Sequence, residues 1–407
     1  MNWKILALVL LTVVNAYKML LLFVQYRSAG NPTPANVADV YDAETYLRWK
    51  NYNAEHCRLS MVSTVISYVL LLVLLLTNAH AWFAAFFPDT GFMQMAAVIL
   101  LQTGVDAVVS VVISYVDTMV IEQKYGFNRT KMKTFLFDQL RGLILGLLLS
   151  CLIMGVFCAL HVNLGNYVLV LFAGVMLLFT LFVSFLYPIF SRIGNKFTPL
   201  EDGPLKERLM ELLNKHGYKV KAIEVMDASR RTTKLNAYFT GFGKMKTIVL
   251  FDNLLNAMSD DEICAIFAHE LGHGLHKDVL KGQILNIGNM FVMSLVIWLS
   301  VVITGLHTDF GFAAVNYGFA YILLEVGLGL VQPLMGLVMN ARSRGAEFRA
   351  DQQAVKEGYG QALITSLKKL GRDNFAHLAP TKALVVLEYS HPPLSQRIEA
   401  IEKAMEE

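Results

Sequence analysis

Seven long apolar stretches limit this chain to folds that cross a membrane. A helix needs about 20 predominantly apolar residues to cross the hydrocarbon core of a bilayer. The sequence offers seven such stretches, at 3–24, 59–79, 93–116, 143–162, 167–190, 284–305 and 319–339. Composition agrees, because 55% of the residues are hydrophobic and only 16% are charged, against about 25% charged in ordinary globular chains. The sequence therefore predicts an α-helical integral membrane protein with seven transmembrane helices, the first of them uncleaved.

Lysines and arginines between these stretches predict the orientation in the membrane. The connections 25–58 and 117–142 carry four and five of them, whereas 80–92, 163–166 and 306–318 carry none. Because positively charged loops face the cytoplasm, we expect the N-terminus outside and the C-terminus inside. The net charge of +3 is too small to indicate a nucleic-acid partner.

The remaining polar segments predict a cytoplasmic domain built from two parts. The expected organisation is 1–195 for the first five transmembrane helices and their loops, 196–283 for the first part of the domain, 284–340 for the last two transmembrane helices and 341–407 for the second part. Within the first part, spacing and β-propensity predict a helix at 204–216, a strand at 220–226 and a hairpin at 236–252 around the turn 241–244. We expect the two parts to fold together as one small α+β domain.

The stretch IFAHELGHGLHKD, 266–278, carries the chemistry. His269 and His273 are four residues apart, so a helix presents both imidazoles on one face, at a spacing that suits tetrahedral zinc. Glu270 is one step round the helix, where it can reach an attacking water without ligating the metal and can act as general base and acid. The alternative is a polar helix face whose histidines are satisfied by hydrogen bonds. An intramembrane site is disfavoured by the charges close by, at Asp260, Asp261, Glu262, Lys277 and Asp278.

A third zinc ligand is predicted after the last apolar stretch, in ARSRGAEFRADQQAV, 341–355. Glu347 and Asp351 are four apart and share a helical face. One carboxylate can bind zinc while the other accepts a hydrogen bond from a ligating imidazole and fixes its tautomer. The alternative is a solvated charged face with Arg344 and Arg349.

The C-terminal SHPPLSQR, 390–397, places a histidine beside a rigid Pro-Pro. His391 could donate a hydrogen bond to the oxyanion of a tetrahedral intermediate, or it could be an ordinary loop histidine.

With these residues the chain resembles the type I CAAX prenyl proteases, integral-membrane zinc metalloendopeptidases also called farnesylated-protein-converting enzymes. The motifs that carry the resemblance are IEQKYGFNRT at 121–130, FTPLEDGPL at 197–205, NAYFTG at 236–241, HELGH at 269–273, SRGAEFRAD at 343–351 and HPPLSQR at 391–397. The resemblance implies seven helices enclosing a water-filled chamber, with a small zincin-like α+β domain at its cytoplasmic end. Polar residues within the spans agree with a chamber, although helix–helix hydrogen bonds would also explain them; they are Asp106, Asn286, Asn289, Glu325 and Gln332.

The same resemblance implies roles for individual residues. One zinc ion per chain would be bound by His269, His273 and Glu347, with Glu270 as general base and acid. Asp351 would accept a hydrogen bond from a ligating imidazole without binding the metal, with Arg397 close by. Asn236 and His391 would line the site and steady the transition state. An exposed edge strand would pair with an extended substrate by β-augmentation, through Asn236, Ala237, Tyr238 and Phe239.

The implied substrates are prenylated proteins ending in a C-a-a-X box, from which the last three residues would be removed after the lipidated cysteine. Partners would then be this protein or peptide substrate and membrane lipids, with the active site on the cytoplasmic side of the endoplasmic reticulum or of a bacterial inner membrane. Many membrane proteins of the endoplasmic reticulum carry a dilysine near the C-terminus. The tail KAMEE has none, which fits the bacterial membrane. One alternative is a broad quality-control protease without prenylated substrates. Another is a transporter or receptor for lipidated ligands, which the intact Glu270 disfavours.

Overall fold

The computed structural model describes residues 2–88, 91–192, 194–240 and 247–407, with only the backbone described at 187–189, 239 and 240. The helices and strands of these ranges are α1 (Trp3–Ser28), α2 (Ala43–Leu76), α3 (Ala79–Ala84), α4 (Phe92–Tyr115), α5 (Met132–Leu164), α6 (Val168–Phe190), β1 (Phe197–Pro199), α7 (Pro204–Lys215), β2 (Ala222–Met226), β3 (Ala237–Thr240), β4 (Thr247–Phe251), α8 (Asp252–Ala257), α9 (Asp260–Leu275), α10 (Asp278–Val302), α11 (Gly305–Thr308), α12 (Tyr317–Lys356), α13 (Gly360–Asp373), α14 (Lys382–Glu388) and α15 (Leu394–Glu406). A π-helical turn, Val116–Glu122, continues α4.

Six helical segments of the described chain are long and apolar enough to cross a membrane. In the most apolar part of each, only 6% to 22% of the residues are buried inside the protein. Exposing so much apolar surface to water would be energetically unfavourable, so these helices face lipid. The prediction of an integral membrane protein is confirmed.

One of the six segments, Met132–Leu186, has 55 residues and contains both α5 and most of α6. A tight turn, Gly165–Tyr167, separates the two helices, and Gly165 takes a positive φ of 56° that suits glycine. About 20 residues suffice for one crossing, so this segment is long enough for two. The count of seven crossings stays a prediction.

Some of the polar residues predicted within the spans have hydrogen-bond partners on their own helix. Gln102 donates to both carboxylate oxygens of Asp106 over 3.0 Å, and Asn289 donates to Asn286 over 3.5 Å. These bonds do not distinguish a chamber wall from a packed interior, and the chamber also stays a prediction.

A four-stranded mixed sheet, in the order β1-β2-β4-β3, lies in the polar part of the chain. β2 and β4 are parallel, whereas β1 and β3 pair antiparallel at the two edges. The predicted strand at 220–226 and the predicted pairing within 236–252 are therefore present, while the turn 241–244 lies outside the described residues. The helix predicted at 204–216 is α7. Leu209, Ile248 and Phe267 are each at most 1% exposed and join α7, the sheet and α9 in one apolar core.

A second apolar core joins parts of the chain that are far apart in sequence. It brings together Ala268 of α9, Leu363 of α13 and Ile398 of α15. Val37 and Trp49, from the segment after α1, are buried in the same core. The segments before α10 and after α12 therefore pack in one apolar core. Part of the segment 1–195, which was predicted to hold only transmembrane helices and their loops, packs in this core as well.

Helix α12 connects the membrane to this interior without a break. It has 40 residues, about 60 Å at 1.5 Å per residue. It contains the apolar stretch 319–339 together with Glu347 and Asp351, so the predicted boundary between 340 and 341 falls inside one helix.

Candidate metal centre and substrate cleft

Helix α9 carries the HELGH stretch and begins at a capping box. The side chain of Ser259 accepts a hydrogen bond from the backbone of Glu262, whose carboxylate in turn accepts one from the backbone of Ser259. This reciprocal pair satisfies two N–H groups that the first helical turn leaves without partners. The start predicted from Ser259 to Glu262 is confirmed.

Three donor groups converge between α9 and α12. Nε2 of His269 lies 3.6 Å from Oε2 of Glu347, and Nε2 of His273 lies 3.3 Å from Oε1 of the same carboxylate. One ligand atom from each of the three residues lies within 4.8 Å of the other two. Among the described residues, these side chains form a group that could hold a metal ion. The two elements that supply them are separated in sequence by α10 and α11.

This donor set fits zinc. Bonds of 2.0–2.1 Å at tetrahedral angles put neighbouring ligand atoms about 3.3–3.5 Å apart, close to the two separations between imidazole and carboxylate. Two imidazoles and one carboxylate also form a ligand set that catalytic zinc sites use. The carboxylate is only 5% exposed. A buried carboxylate between two imidazoles is better explained by a shared cation than by a solvated charged face.

Asp351 and Arg397 contact the Nδ1 side of the His269 ring. Nδ1 of His269 lies 2.8 Å from Oδ1 of Asp351. The guanidinium of Arg397 donates to both oxygens of Asp351, over 2.9 Å and 2.6 Å, and also lies 3.3 Å from Oε2 of Glu347. Asp351 is 1% exposed, so its charge depends on these partners. The arrangement leaves Nε2 of His269 free to face the ion.

Glu270 lines the cavity between α9 and the edge of the sheet. Burial raises the pKa of its carboxyl above the ordinary value for glutamate, against the opposing effect of His269 and His273. A carboxylate with a raised pKa is a better proton acceptor than an exposed glutamate.

The cavity has a volume of about 320 Å³ and collects most of the residues that the sequence analysis singled out. Its wall includes Asn236, Ala237, His269, Glu270, His273, Glu347, His391 and Arg397. A second, apolar part of the wall consists of Leu254, Ile266, Leu363, Leu367 and Leu370. Sequence reasoning missed this apolar wall, because three of its members come from α13, which carries no site motif.

The predicted substrate strand lies at the edge of the sheet. β3 pairs with β4 through Ala237–Leu250, Tyr238–Val249 and Phe239–Ile248, and among the described residues β3 is an edge strand of the sheet. Asn236 is exposed, and its side-chain oxygen accepts from the backbone of Ala237 over 2.9 Å. The side chain of Tyr238 is not in the described cavity wall, and that of Phe239 lies outside the described residues.

His391 reaches the metal centre from the loop between α14 and α15. Its Nε2 lies 3.3 Å from Oε1 of Glu347, and its side chain is 65% exposed. Ser390 Oγ lies 3.0 Å from Nδ1 of the same ring. Arg344 anchors the preceding segment by donating to the carbonyls of Val385 and Tyr389, over 2.8 Å and 2.7 Å. His391 is therefore part of the cavity rather than an ordinary loop histidine.

Two charged residues near the site were not assigned a role from sequence. Oδ2 of Asp278 lies 3.1 Å from Nδ1 of His273, and Arg349 donates to the other oxygen of Asp278 over 3.0 Å. In the sequence, Asp278 serves only as a charge that disfavours an intramembrane site, and Arg349 only as part of the alternative of a solvated charged face. The sequence offered no signal for this contact, because a continuous helix does not bring residues five apart, such as His273 and Asp278, together.

Comparisons with known proteins identify the family of the chain. The family model described as CAAX prenyl protease N-terminal, five membrane helices, matches residues 23–192, and that of peptidase family M48 matches residues 199–405. A CAAX prenyl protease 1 homolog of Oryza sativa subsp. japonica is 33% identical over 293 residues, which cover 72% of this chain and 69% of the relative. CAAX prenyl protease 1 of Saccharomyces cerevisiae is 28% identical over 426 residues, covering 96% and 93%.

A solved structure shares the whole fold. The crystal structure of S. mikatae Ste24p superimposes with a TM-score of 0.91 at 25% sequence identity, and the match covers 99% of each chain. The chain therefore belongs to the integral-membrane CAAX prenyl protease family of M48 metallopeptidases.

Proposed function

We propose that this protein is a zinc-dependent membrane endopeptidase that removes the last three residues of prenylated C-a-a-X proteins. The observation that carries the proposal is the convergence of His269, His273 and Glu347 on one side of a cavity, with Glu270 in its wall and the edge of β3 beside it. Bound zinc would polarise the scissile carbonyl and make water a nucleophile at neutral pH.

The protein's own residues supply the remaining steps. Glu270 takes a proton from the attacking water and passes it to the leaving nitrogen. Nε2 of His391 and the side chain of Asn236 are the candidate donors to the oxygen that becomes negative in the transition state. An extended peptide added to β3 by main-chain hydrogen bonds would run along the metal side of the sheet.

Names of the relatives support the prenylated substrate, since they are called CAAX prenyl proteases. The proposal includes seven crossings, with α5 and α6 each crossing once, and a chamber that holds the lipidated end. The metal centre would face the cytoplasm, where prenylated proteins and the positively charged connections lie.

A direct test compares a farnesylated C-a-a-X peptide with its unprenylated twin. We expect release of the terminal tripeptide from the farnesylated peptide, with a higher kcat/KM than for the twin, measured by mass spectrometry on purified protein in detergent. Equal cleavage of both would favour the quality-control function instead.

Glu270→Gln separates an enzyme from a binding protein. The variant should bind zinc as the native protein does and lose about 10²–10⁴-fold in turnover, because the isosteric amide cannot accept the proton. Glu211→Gln makes the same change at an exposed position of α7 and should leave turnover as it is. Unchanged turnover in Glu270→Gln would contradict the protease mechanism.

A further inference from the structure

Asp278 contacts a metal-site imidazole from the first residue of a membrane helix. Its Oδ2 lies 3.1 Å from Nδ1 of His273, while Nε2 of the same ring lies 3.3 Å from Glu347. The ring thus faces Asp278 with one nitrogen and the candidate ion with the other. The side chain of Asp278 is only 10% exposed, so the contact is sheltered from water.

A guanidinium supports this carboxylate. Nη2 of Arg349 donates to Oδ1 of Asp278 over 3.0 Å, and Arg342 donates to the backbone carbonyl of Asp278 over 3.0 Å. Both arginines belong to α12, which also carries Glu347. The position of Asp278 is therefore fixed relative to the helix that supplies the third ligand.

The two imidazoles are held in parallel ways. His269 donates to Asp351, which is bound by Arg397, and His273 faces Asp278, which is bound by Arg349. Carboxylates behind metal-ligating histidines fix the tautomer, orient the ring and raise the basicity of the ligating nitrogen.

The backbone between α9 and α10 is shaped to bring Asp278 back to the site. Lys277 adopts the left-handed conformation, with φ 55° and ψ 38°. A residue other than glycine seldom adopts that conformation, and it costs of order 1 kcal/mol. The turn ends one helix and starts the next within three residues of Leu275, so that residue 278 lies against residue 273.

We propose that Asp278, held by Arg349, is a positioning residue for His273 in the zinc centre. It keeps the proton on Nδ1, so that the lone pair of Nε2 points at the ion. It also ties the metal centre to α10 in addition to α12. This inference rests on the proposed zinc function, because positioning His273 matters only if the histidine is a ligand.

An acidic residue at the start of a helix also interacts with the helix dipole wherever it is placed. Asp260 provides the matched control, because it is the first residue of α9 and is exposed. Asp278→Ala and Asp260→Ala lose the same charge at the same helical position. Only the first removes a partner of a metal-site imidazole.

The experiment measures the zinc dissociation constant of the purified full-length protein in detergent, by competition with a chromophoric chelator. We expect Asp278→Ala to raise it about 10–100-fold and Asp260→Ala to leave it unchanged. Asp278→Glu should recover part of the affinity. Arg349→Ala should raise the constant less, and it should add nothing in the Asp278→Ala background, because both act through one contact.

The outcomes separate the two proposals. If native protein binds stoichiometric zinc and Asp278→Ala binds it equally tightly, the positioning role is wrong and the protease proposal stands. An equal loss in both alanine variants also rejects it, in favour of a general helix effect. If native protein binds no zinc, both proposals fail. Should Asp278→Ala not fold, Arg349→Ala decides, since the Arg349 side chain is 39% exposed and its truncation is tolerable.

Discussion

At the scale of single residues, Arg397 stabilises two buried carboxylates at once. It makes two hydrogen bonds to Asp351 and lies within 3.3 Å of Glu347. Only a planar guanidinium offers two parallel donors to one carboxylate with a third left for another. Its own side chain is 12% exposed, so the cluster of charges is satisfied almost entirely by protein groups.

Arg397→Lys should therefore not behave as a conservative change. A lysine ammonium cannot keep both bonds to Asp351 and also reach Glu347, so His269 loses its fixed orientation. We expect kcat/KM to fall about 10–100-fold, measured by steady-state peptide cleavage. Lys403→Arg, a basic exchange on the exposed face of the same helix, should leave kcat/KM as it is; equal rates for both variants would show that bidentate geometry is unimportant.

At the scale of elements, α9 and α12 approach each other at Gly272. A Cβ at this position would lie 2.9 Å from Cα of Ala350, closer than real Cβ atoms come to backbone, and 3.0 Å from Cβ of Gln353. Gly274 is likewise covered, by the ring of Tyr218. Both glycines are explained by close packing, and the packing at Gly272 brings the imidazoles of α9 within reach of Glu347.

Gly272→Ala should push the two helices apart. Overpacking of this kind costs about 1–3 kcal/mol, and we expect both a lower thermal midpoint and weaker zinc binding. Gly288→Ala is the control, because it lies in α10 and its Cβ would meet nothing within 4 Å. A thermal midpoint of Gly272→Ala equal to that of Gly288→Ala would contradict the packing argument.

The start of β3, the strand that we propose binds substrate, is held in place by a side chain from another element. Asn374, which follows α13, accepts from the backbone N–H of Leu235 over 3.0 Å and donates to its carbonyl over 3.1 Å. Asn253 adds a bond to the carbonyl of Lys234 over 2.8 Å. The backbone just before Asn236 is thereby fixed relative to the helix that supplies the apolar cavity wall.

Asn374→Ala should weaken substrate binding more than chemistry. Without the two bonds the start of β3 can shift, so we expect KM to rise by up to about 30-fold, at about 1 kcal/mol for each of the two lost bonds, with zinc affinity unchanged. Steady-state kinetics and zinc titration check both parts. Asp373→Asn alters the neighbouring side chain, which pairs with Arg372 instead, and should keep the native KM.

At the scale of the whole molecule, His377 joins the second apolar core, which contains Trp49 and Leu363, to the first two helices. Its Nδ1 accepts from the backbone of Ala379 over 3.3 Å, and its Nε2 lies 2.7 Å from the hydroxyl of Ser28. The ring packs on Trp49 of α2, with 4.9 Å between ring centroids. Burial lowers the pKa of His377 to about 4, because a charged ring would lose its solvation in this core.

Stability should consequently fall as the medium is acidified from neutral pH. The unfolded chain protonates this histidine near pH 6.5, whereas the folded protein holds it neutral down to about pH 4. Between those values the unfolded state binds more protons, so its share rises as pH falls. The contribution is roughly 1–2 kcal/mol between pH 7 and pH 5. The thermal midpoint in detergent should drop over this range, and His377→Gln should show a smaller drop; an identical drop would assign the effect to other groups.

Much of the fold and of the candidate site could be predicted from local sequence. The apolar stretches, the capping box at Ser259, the pairing of β3 with β4 and the one-face spacing of His269 and His273 all depend on neighbours a few residues away. Periodicity and capping chemistry act at that range, and the convergence of the predicted ligands agrees with them.

Local sequence therefore specifies the kind of environment that each segment needs and the chemistry that its side chains can offer. Three contacts follow only from the three-dimensional fold: Asp278 with His273, Asn374 with the start of β3, and the segment around Trp49 with α9. Each of these contacts depends on a turn, such as the left-handed Lys277, or on the path of the chain between distant elements. A contact of that kind has no period along the sequence, because its partners are chosen by packing in three dimensions.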